Sequence, residues 1–160
     1  MAIRTNRPGV MPEVTLPLRA QFWTLPLGEL NAREWEALCD GCGKCCLNKL
    51  EDADTGEIAP TDIACKLLDI GACRCSDYRG RKAKVPDCLR LTARNVGDQA
   101  WLPSTCAYRL RAEGKPLPGW HYLICGDREE VHRAGQSVRG WAVSEEDAGP
   151  IEHHLVDREL

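Results

Sequence analysis

The sequence has few of the side chains that usually build a large core. It contains one Phe and three Tyr, whereas 14 Gly and 10 Pro interrupt its 160 residues. A chain of this length can bury roughly 70% of its unfolded surface, so a core is possible, but this composition favours a loop-rich body. We therefore expect something besides packing to help hold the chain together.

Two further features are missing. The sequence has no apolar stretch of the roughly 18 residues that a membrane span needs, and its charged, proline-interrupted start lacks the apolar run of a secretory signal. We therefore expect a cytoplasmic protein without a membrane partner. Because disulfides are rare in the cytosol, ten cysteines at short spacings are predicted to be metal ligands or catalytic groups.

Prolines and polarity divide the chain into three predicted segments. Residues 1–29 carry four prolines and are predicted to form an extended arm. Residues 30–145 form the predicted cysteine-cluster domain, and residues 146–160 a polar C-terminal tail. The expected fold class is small and loop-rich, mainly α with a few short strands, and stabilised by a metal-binding cysteine cluster.

Local signals predict three helices. Asn31 and Glu34 form a capping box that begins the first helix, which should end before Gly41. Thr61 is predicted to cap a second helix, because the apolar residues that follow recur on one helical face. A third helix is predicted within residues 102–114, opened by a proline and closed by a glycine.

The remaining segments are predicted to be turns and short elements. Residues 52–56 indicate a tight turn rather than a calcium loop, since the glycine falls early and the distal glutamate is absent. The basic stretch 76–84 is predicted as loop or hairpin, and residues 85–95 as a short helix-like piece. Short strands are predicted within 120–125 and 138–143.

The strongest signal is the segment Cys39-Asp40-Gly41-Cys42-Gly43-Lys44-Cys45-Cys46. A Cys-x-x-Cys pair lets two thiolates reach one metal while the backbone makes a tight turn, and here two such pairs overlap. Cys46 should point away from Cys45, because adjacent side chains of an extended segment diverge. If both thiols bind metal, we therefore expect them to reach two different metals or opposite sides of a shared cluster. The spacing does not match a bacterial ferredoxin run.

Three thiols rarely close a structural site, so further ligands are needed. The remaining candidates are Cys65, Cys73, Cys75, Cys88 and Cys106. For two of them, Cys65 and Cys106, the alternative is a small buried hydrophobic residue within a predicted helix. His121 is a weaker candidate ligand, since a lone histidine is more often structural. No catalytic residue is predicted.

The segment 34–47 resembles the bacterial CxxCxxCC cysteine-cluster family, specifically its YcgN-like branch. The resemblance extends over roughly residues 30–145 and continues through Asp54–Ile58, Cys73–Cys75, Pro86–Cys88, Trp101–Leu110, Ala112–Lys115 and Ser137–Arg139. It implies a zinc- or iron-chelating domain whose biological role is unassigned, and it leaves Cys125 outside the pattern. The ligands it supports are Cys39, Cys42, Cys45, Cys46, Cys65, Cys73, Cys75, Cys88 and Cys106.

We therefore expect a protein that chelates zinc or iron, with an iron–sulfur cluster as one form, because thiolates suit both metals. The alternative is a redox or methyl-transfer enzyme, or an enzyme subunit, with an iron–sulfur centre; flagellin lysine N-methylases carry a similar cluster, which is an analogy only. No glycine-rich nucleotide loop follows a predicted strand, which disfavours an enzyme.

Metal ions are the expected partners, and the sequence leaves open whether a protein partner binds as well. Residues 74–94 hold seven basic and two acidic side chains, which would suit a nucleic acid. The chain as a whole carries a formal charge of -3, however, and those cations equally offset the charge of metal-bound thiolates. A nucleic-acid partner is therefore not expected.

Overall fold

The computed structural model describes residues 16–158 and residue 160. Short helices and strands alternate with long connecting segments, as the composition predicts. The α-helices are α1 Ala32–Ala37, α2 Arg81–Lys84, α3 Ala107–Ala112, α4 Tyr122–Cys125 and α5 Glu130–Arg133. The strands are β1 Leu47–Glu51, β2 Ile58–Ala64, β3 Leu68–Asp69, β4 Arg74–Cys75 and β5 Val143–Ser144. Single 3-10 turns cover Phe22–Thr24, Leu27–Glu29, Lys44–Cys46, Val96–Asp98 and Ile151–His154.

Helix α1 begins as predicted. The Asn31 side chain accepts a hydrogen bond from the Glu34 amide, and the Glu34 carboxylate accepts one from the Asn31 amide, both at 3.0 Å. Arg19 donates to both carboxylate oxygens of the buried Glu34, at 2.8 and 2.6 Å. The segment 16–29, part of the predicted arm, is thereby tied to the helix, and its Phe22 is buried. The first 15 residues of that arm lie outside the described residues.

Strands β1 and β2 form an antiparallel hairpin, and β5 adds a short parallel pairing to β2. The predicted tight turn at residues 52–56 joins the hairpin. Asp52 accepts hydrogen bonds from the amides of Asp54 and Thr55, and Gly56 has a φ of +71°, which glycine adopts without strain. Strands β3 and β4 form a separate antiparallel pair.

The predicted second helix is wrong, because the chain from Ile58 to Ala64 is strand β2. Thr61 and Ile63 are buried while Asp62 between them is not, which is the alternation of a strand with one covered face. Backbone pairing with β1 makes this segment a strand, although its apolar residues have the spacing of a helix. Consequently Cys65 lies just past a strand rather than inside a helix.

Four other local predictions need correction. The strand predicted within 120–125 is the short helix α4, since the His121 side chain caps it by accepting from the Leu123 amide at 3.1 Å. Of residues 138–143, only Val143 belongs to a strand. Helix α2 lies within the basic stretch, and residues 85–95 contain turns instead of a helix. The third predicted helix is confirmed as α3, with Cys106 at its N-cap.

Two small hydrophobic cores carry the fold of residues 16–158. The first contains Leu38, Val96, Leu102, Ala107, Tyr108 and Leu117. The second contains Leu47, Ala64, Leu68, Cys73 and Val138. The segment 39–46, which we call the cysteine loop, runs from Leu38 in the first core to Leu47 in the second. Its position is therefore fixed at both ends by buried leucines.

Membrane-spanning helices do not occur among residues 16–158 and 160, because none of the helices there is long and apolar enough.

Candidate metal centre

Three side chains hold the end of α1 just before the cysteine loop. The last carbonyls of a helix have no partner within it. Here the donors come from other segments: Tyr108 Oη to Trp35 O at 2.7 Å, Tyr122 Oη to Ala37 O, and His121 Nε2 to Leu38 O at 3.0 Å. The three contacts fix the direction in which the chain enters Cys39. Sequence reasoning missed this arrangement, because its donors lie more than 70 residues away.

His121 is one of these donors and is completely buried. Its Nδ1 accepts from the Leu123 amide at 3.1 Å, so the proton resides on Nε2, which donates to Leu38. Burial lowers the pKa of His121, which keeps the ring neutral. Because both ring nitrogens have partners, His121 serves the structure and offers no free ligand atom.

The cysteine loop is held by one hydrogen bond within it and by one from Val138. Asp40 Oδ1 accepts from the Cys42 amide at 2.9 Å, and the Cys42 carbonyl accepts from the Val138 amide at 2.9 Å. Gly43 has a φ of +77°, and a Cβ placed there would lie only 2.8 Å from Val138 Cγ2. Both the backbone conformation and the close contact therefore require glycine at this position.

Three cysteines of the cysteine loop and the N-cap residue of α3 make up what we call the first thiol group: Cys39, Cys42, Cys45 and Cys106. Lys44 Nζ contacts Thr105 Oγ1 at 3.3 Å, which joins the cysteine loop to the segment that carries Cys106. Burial raises the pKa of Cys42 and, to about 11, of Cys106, and the charge of Cys45 adds to each shift.

Four other thiols form the second thiol group: Cys46, Cys65, Cys75 and Cys88. The Cys65 amide donates to the Cys46 carbonyl at 2.9 Å, and the β3–β4 pairing carries Cys75. Lys82 Nζ donates to the Cys88 carbonyl at 2.7 Å. Burial raises the pKa of Cys65, and the charges of Cys75 and Cys88 add to that shift. The members of this group are therefore brought together by strand pairing and by the basic loop, and they do not belong to one contiguous sequence motif.

The two groups meet at Cys45 and Cys46. Interaction with the Cys46 side chain lowers the pKa of Cys45 to about 7, whereas the same interaction, together with burial and the charges of the second group, raises the pKa of Cys46. Burial lowers the pKa of Lys49, but the nearby charges of Cys45 and Cys46 oppose that shift. The interaction between these two side chains thus favours ionisation of one thiol of the pair, and the thiolate is the form that binds metal.

A cavity of about 530 Å³ lies between the groups. Its lining includes the thiol residues Cys39, Cys45, Cys46, Cys65, Cys73, Cys75 and Cys88 and the aromatic residues Trp35, Tyr78, Trp101 and Tyr108. Cys39 and Cys45 are the exposed cysteines among them. Within the described ranges, no three Cys, His, Asp or Glu side chains converge closely enough to enclose one ion. The donor set suits zinc or iron, but the thiols surround a shared space and do not form a closed shell.

Two cysteines stand apart from both groups. The Cys73 thiol donates to the Ile70 carbonyl at 3.3 Å and packs in the second core, although it borders the cavity. The Cys125 thiol lies 3.5 Å from the carbonyls of Trp120 and Asp127. Of the nine predicted ligands, seven line the cavity, whereas Cys42 and Cys106 do not. The role of all nine as metal ligands stays a prediction.

Several cations of the basic segment fasten the loop between Cys75 and Cys88. Lys84 pairs with Asp77 at 2.8 Å, and Lys82 donates to the Pro86 carbonyl at 2.6 Å. The Arg81 guanidinium lies 3.8 Å from the centre of the Tyr78 ring. These contacts position the second thiol group, a use of the cations that the sequence pattern does not reveal.

Comparisons with known proteins agree with the site. Residues 38–107 match the CxxCxxCC family model, described as "Putative zinc- or iron-chelating domain". A UPF0260 protein of Rhizorhabdus wittichii is 61% identical over 140 residues, which cover 87% of this chain and 96% of that protein. UPF0260 proteins of Rhodobacter capsulatus and Pseudomonas putida are 64% and 54% identical, over 80% and 87% of this chain and 87% and 95% of their own lengths. No solved structure matches.

Proposed function

Because this chain belongs to the UPF0260 family of CxxCxxCC proteins, we propose that it binds zinc or iron through two four-cysteine groups. The first uses Cys39, Cys42, Cys45 and Cys106, and the second uses Cys46, Cys65, Cys75 and Cys88. The observation that carries this proposal is the meeting of six of these eight cysteines around one cavity, with Cys42 in the same loop and Cys106 joined to that loop through the contact between Lys44 and Thr105. Assignment to the YcgN-like branch stays a prediction.

The surroundings of the thiols support this role. Four thiolates and one divalent cation leave a charge of about -2, which nearby donors and cations must balance. Gly41 N lies 3.4 Å from Cys39 Sγ in the first group, and Leu67 N lies 3.5 Å from Cys65 Sγ in the second. Amides that point at sulfur stabilise the thiolate. Lys49 supplies a positive charge beside Cys45, where the groups meet.

Metal binding would also stabilise the fold. The first group would link the end of α1, the cysteine loop and the start of α3. The second would link the start of β1, the end of β2, β4 and the loop that follows α2. Each core contains only a few buried apolar residues, so cross-links between these segments would contribute much of the stability.

Metal analysis of selected cysteine variants tests the proposal. The full chain would be purified reduced and without oxygen, and its zinc and iron measured per chain. Cys42→Ser and Cys65→Ser should each remove part of the bound metal, because each breaks a different group, while the matched control Cys125→Ser should keep all of it. Metal content unchanged in both Cys42→Ser and Cys65→Ser would exclude the assigned groups.

A second candidate is a redox or methyl-transfer enzyme, or an enzyme subunit, with an iron–sulfur centre. The observation in its favour is the cavity of about 530 Å³, because small-molecule sites usually measure about 300–1,000 Å³. Protein prepared without oxygen from iron-replete cells would then be brown, with visible absorption that dithionite bleaches. Colourless protein that carries zinc would contradict this candidate.

A further inference from the structure

Asp40, in the cysteine loop, has a carboxylate oxygen without a partner. Only 7% of the residue is exposed. Oδ1 accepts from the Cys42 amide at 2.9 Å, which fixes the orientation of the carboxylate, whereas Oδ2 has no hydrogen-bond partner among the described residues. Buried carboxylates are almost always paired with a cation or bound to a metal. The free oxygen therefore points to a missing positive charge.

Asp40 lies beside two members of the first thiol group. It follows Cys39 directly in the cysteine loop, and its Oδ1 is bound to the amide of Cys42, another member of the group. A metal bound by these thiols would therefore lie near the carboxylate. Thiolates and a carboxylate held together in a buried loop repel one another unless a cation lies among them.

The nearest buried cation does not satisfy Asp40. Lys44 is 6% exposed, but its ammonium contacts Thr105 Oγ1 and forms no ion pair with Asp40. The second thiol group offers a contrast, because its acidic neighbour Glu145 already accepts a hydrogen bond from Asn48 at 3.2 Å. Of the two acids, only Asp40 combines burial with a free oxygen.

From this arrangement we infer that Asp40 is an oxygen ligand of the metal held by the first thiol group. The inference rests on the proposed function and gives that group a mixed donor set, four thiolates and one carboxylate oxygen. A tetrahedral ion binds four donors, whereas this group offers five. The carboxylate would therefore take the place of one thiolate in the coordination shell. The second group would bind its metal through sulfur alone.

Zinc X-ray absorption tests the inference on the full, reduced chain loaded with Zn²⁺ alone. Zinc–oxygen distances near 2.0–2.2 Å are separable from zinc–sulfur distances near 2.3 Å. Asp40→Asn keeps the shape of the side chain and its bond to the Cys42 amide but removes the charge. Asp40→Ser keeps a short acceptor for that amide but cannot reach the metal. Asp87→Asn removes an exposed acid that borders the cavity beside Cys88 and is the matched control.

We expect an oxygen shell in the wild type and in Asp87→Asn, and its loss in Asp40→Ser. Chelator competition should show at least a tenfold weaker zinc affinity for one site in both Asp40 variants. An all-sulfur shell in the wild type, or an equal oxygen shell in Asp40→Ser, would overturn the inference while leaving the proposed function intact. Failure of the wild type to bind zinc or iron at all would overturn the proposed function and this inference with it.

Discussion

The two thiol groups are built in different ways. Three members of the first group come from one eight-residue loop, whose entry is fixed by the Tyr108, Tyr122 and His121 donors. The second group takes each thiol from a different segment and depends on strand pairing and a basic loop. A local motif can therefore preset the first group, whereas the second forms only when the whole fold is in place. This difference predicts unequal responses to perturbation.

Removal of the metal should have the largest effect. Structural zinc sites contribute apparent binding free energies on the order of 10 kcal/mol, so a reduced, metal-free chain should melt at least about 10 °C lower. Hydrogen exchange should rise more at residues 74–94, around the second group, than in α1, which keeps its hydrogen-bonded end. An unchanged melting temperature, or equal exchange in both regions, would contradict this expectation.

Substitution of Gly43 should have the next largest effect. Gly43→Ala forces an L residue into positive φ and drives Cβ against Val138, for an expected loss of about 2–4 kcal/mol in the free energy of unfolding. Gly41→Ala is the matched control, because Gly41 has the same φ of +77° but open space around it. It should lose only about 1–2 kcal/mol. Urea unfolding of the metal-loaded variants gives both numbers, and equal losses would exclude the Val138 contact as the cause.

Loss of His121 should weaken the first group without removing a ligand. His121→Leu leaves the Leu38 carbonyl without its donor, at a cost of about 1–3 kcal/mol in stability. The metal-to-chain ratio at saturation should stay at its wild-type value, because His121 has no free ligand atom. A lower ratio in a variant that still folds would identify His121 as a ligand instead.

Protonation of Glu34, which breaks the ion pair that ties residues 16–29 to α1, should produce the smallest effect. The Arg19 guanidinium and backbone hydrogen bonds hold the pKa of Glu34 at about 2, below its ordinary value of 4.5. A carboxyl group whose folded pKa is lowered stabilises the fold above the unfolded value. That contribution should disappear as the pH falls from about 4.5 towards 2. The fall in melting temperature over this range should be smaller in Arg19→Gln, and an identical fall would refute the assignment.

Sequence reasoning succeeded where the signal is local. The capping box at Asn31, the turn at residues 52–56 and the cysteine loop each follow from a few adjacent residues. It failed where tertiary pairing overrides local periodicity, as in β2, and where a single cap decides the element, as His121 does in α4. The sequence predicts that Cys45 and Cys46 diverge, but it could not predict which distant cysteines join each of them, because the positions of Cys106 and Cys88 depend on contacts made by Lys44 and Lys82.

Cadmium NMR tests the central claim of two separate groups most directly. The reduced chain loaded with ¹¹³Cd²⁺ should give two resonances in the range of thiolate-bound cadmium. Cys45→Ser should shift or remove one of them and the adjacent substitution Cys46→Ser the other, because the two neighbours serve different groups, while Cys125→Ser should preserve both. A single resonance, or the loss of the same resonance in both variants, would contradict the account.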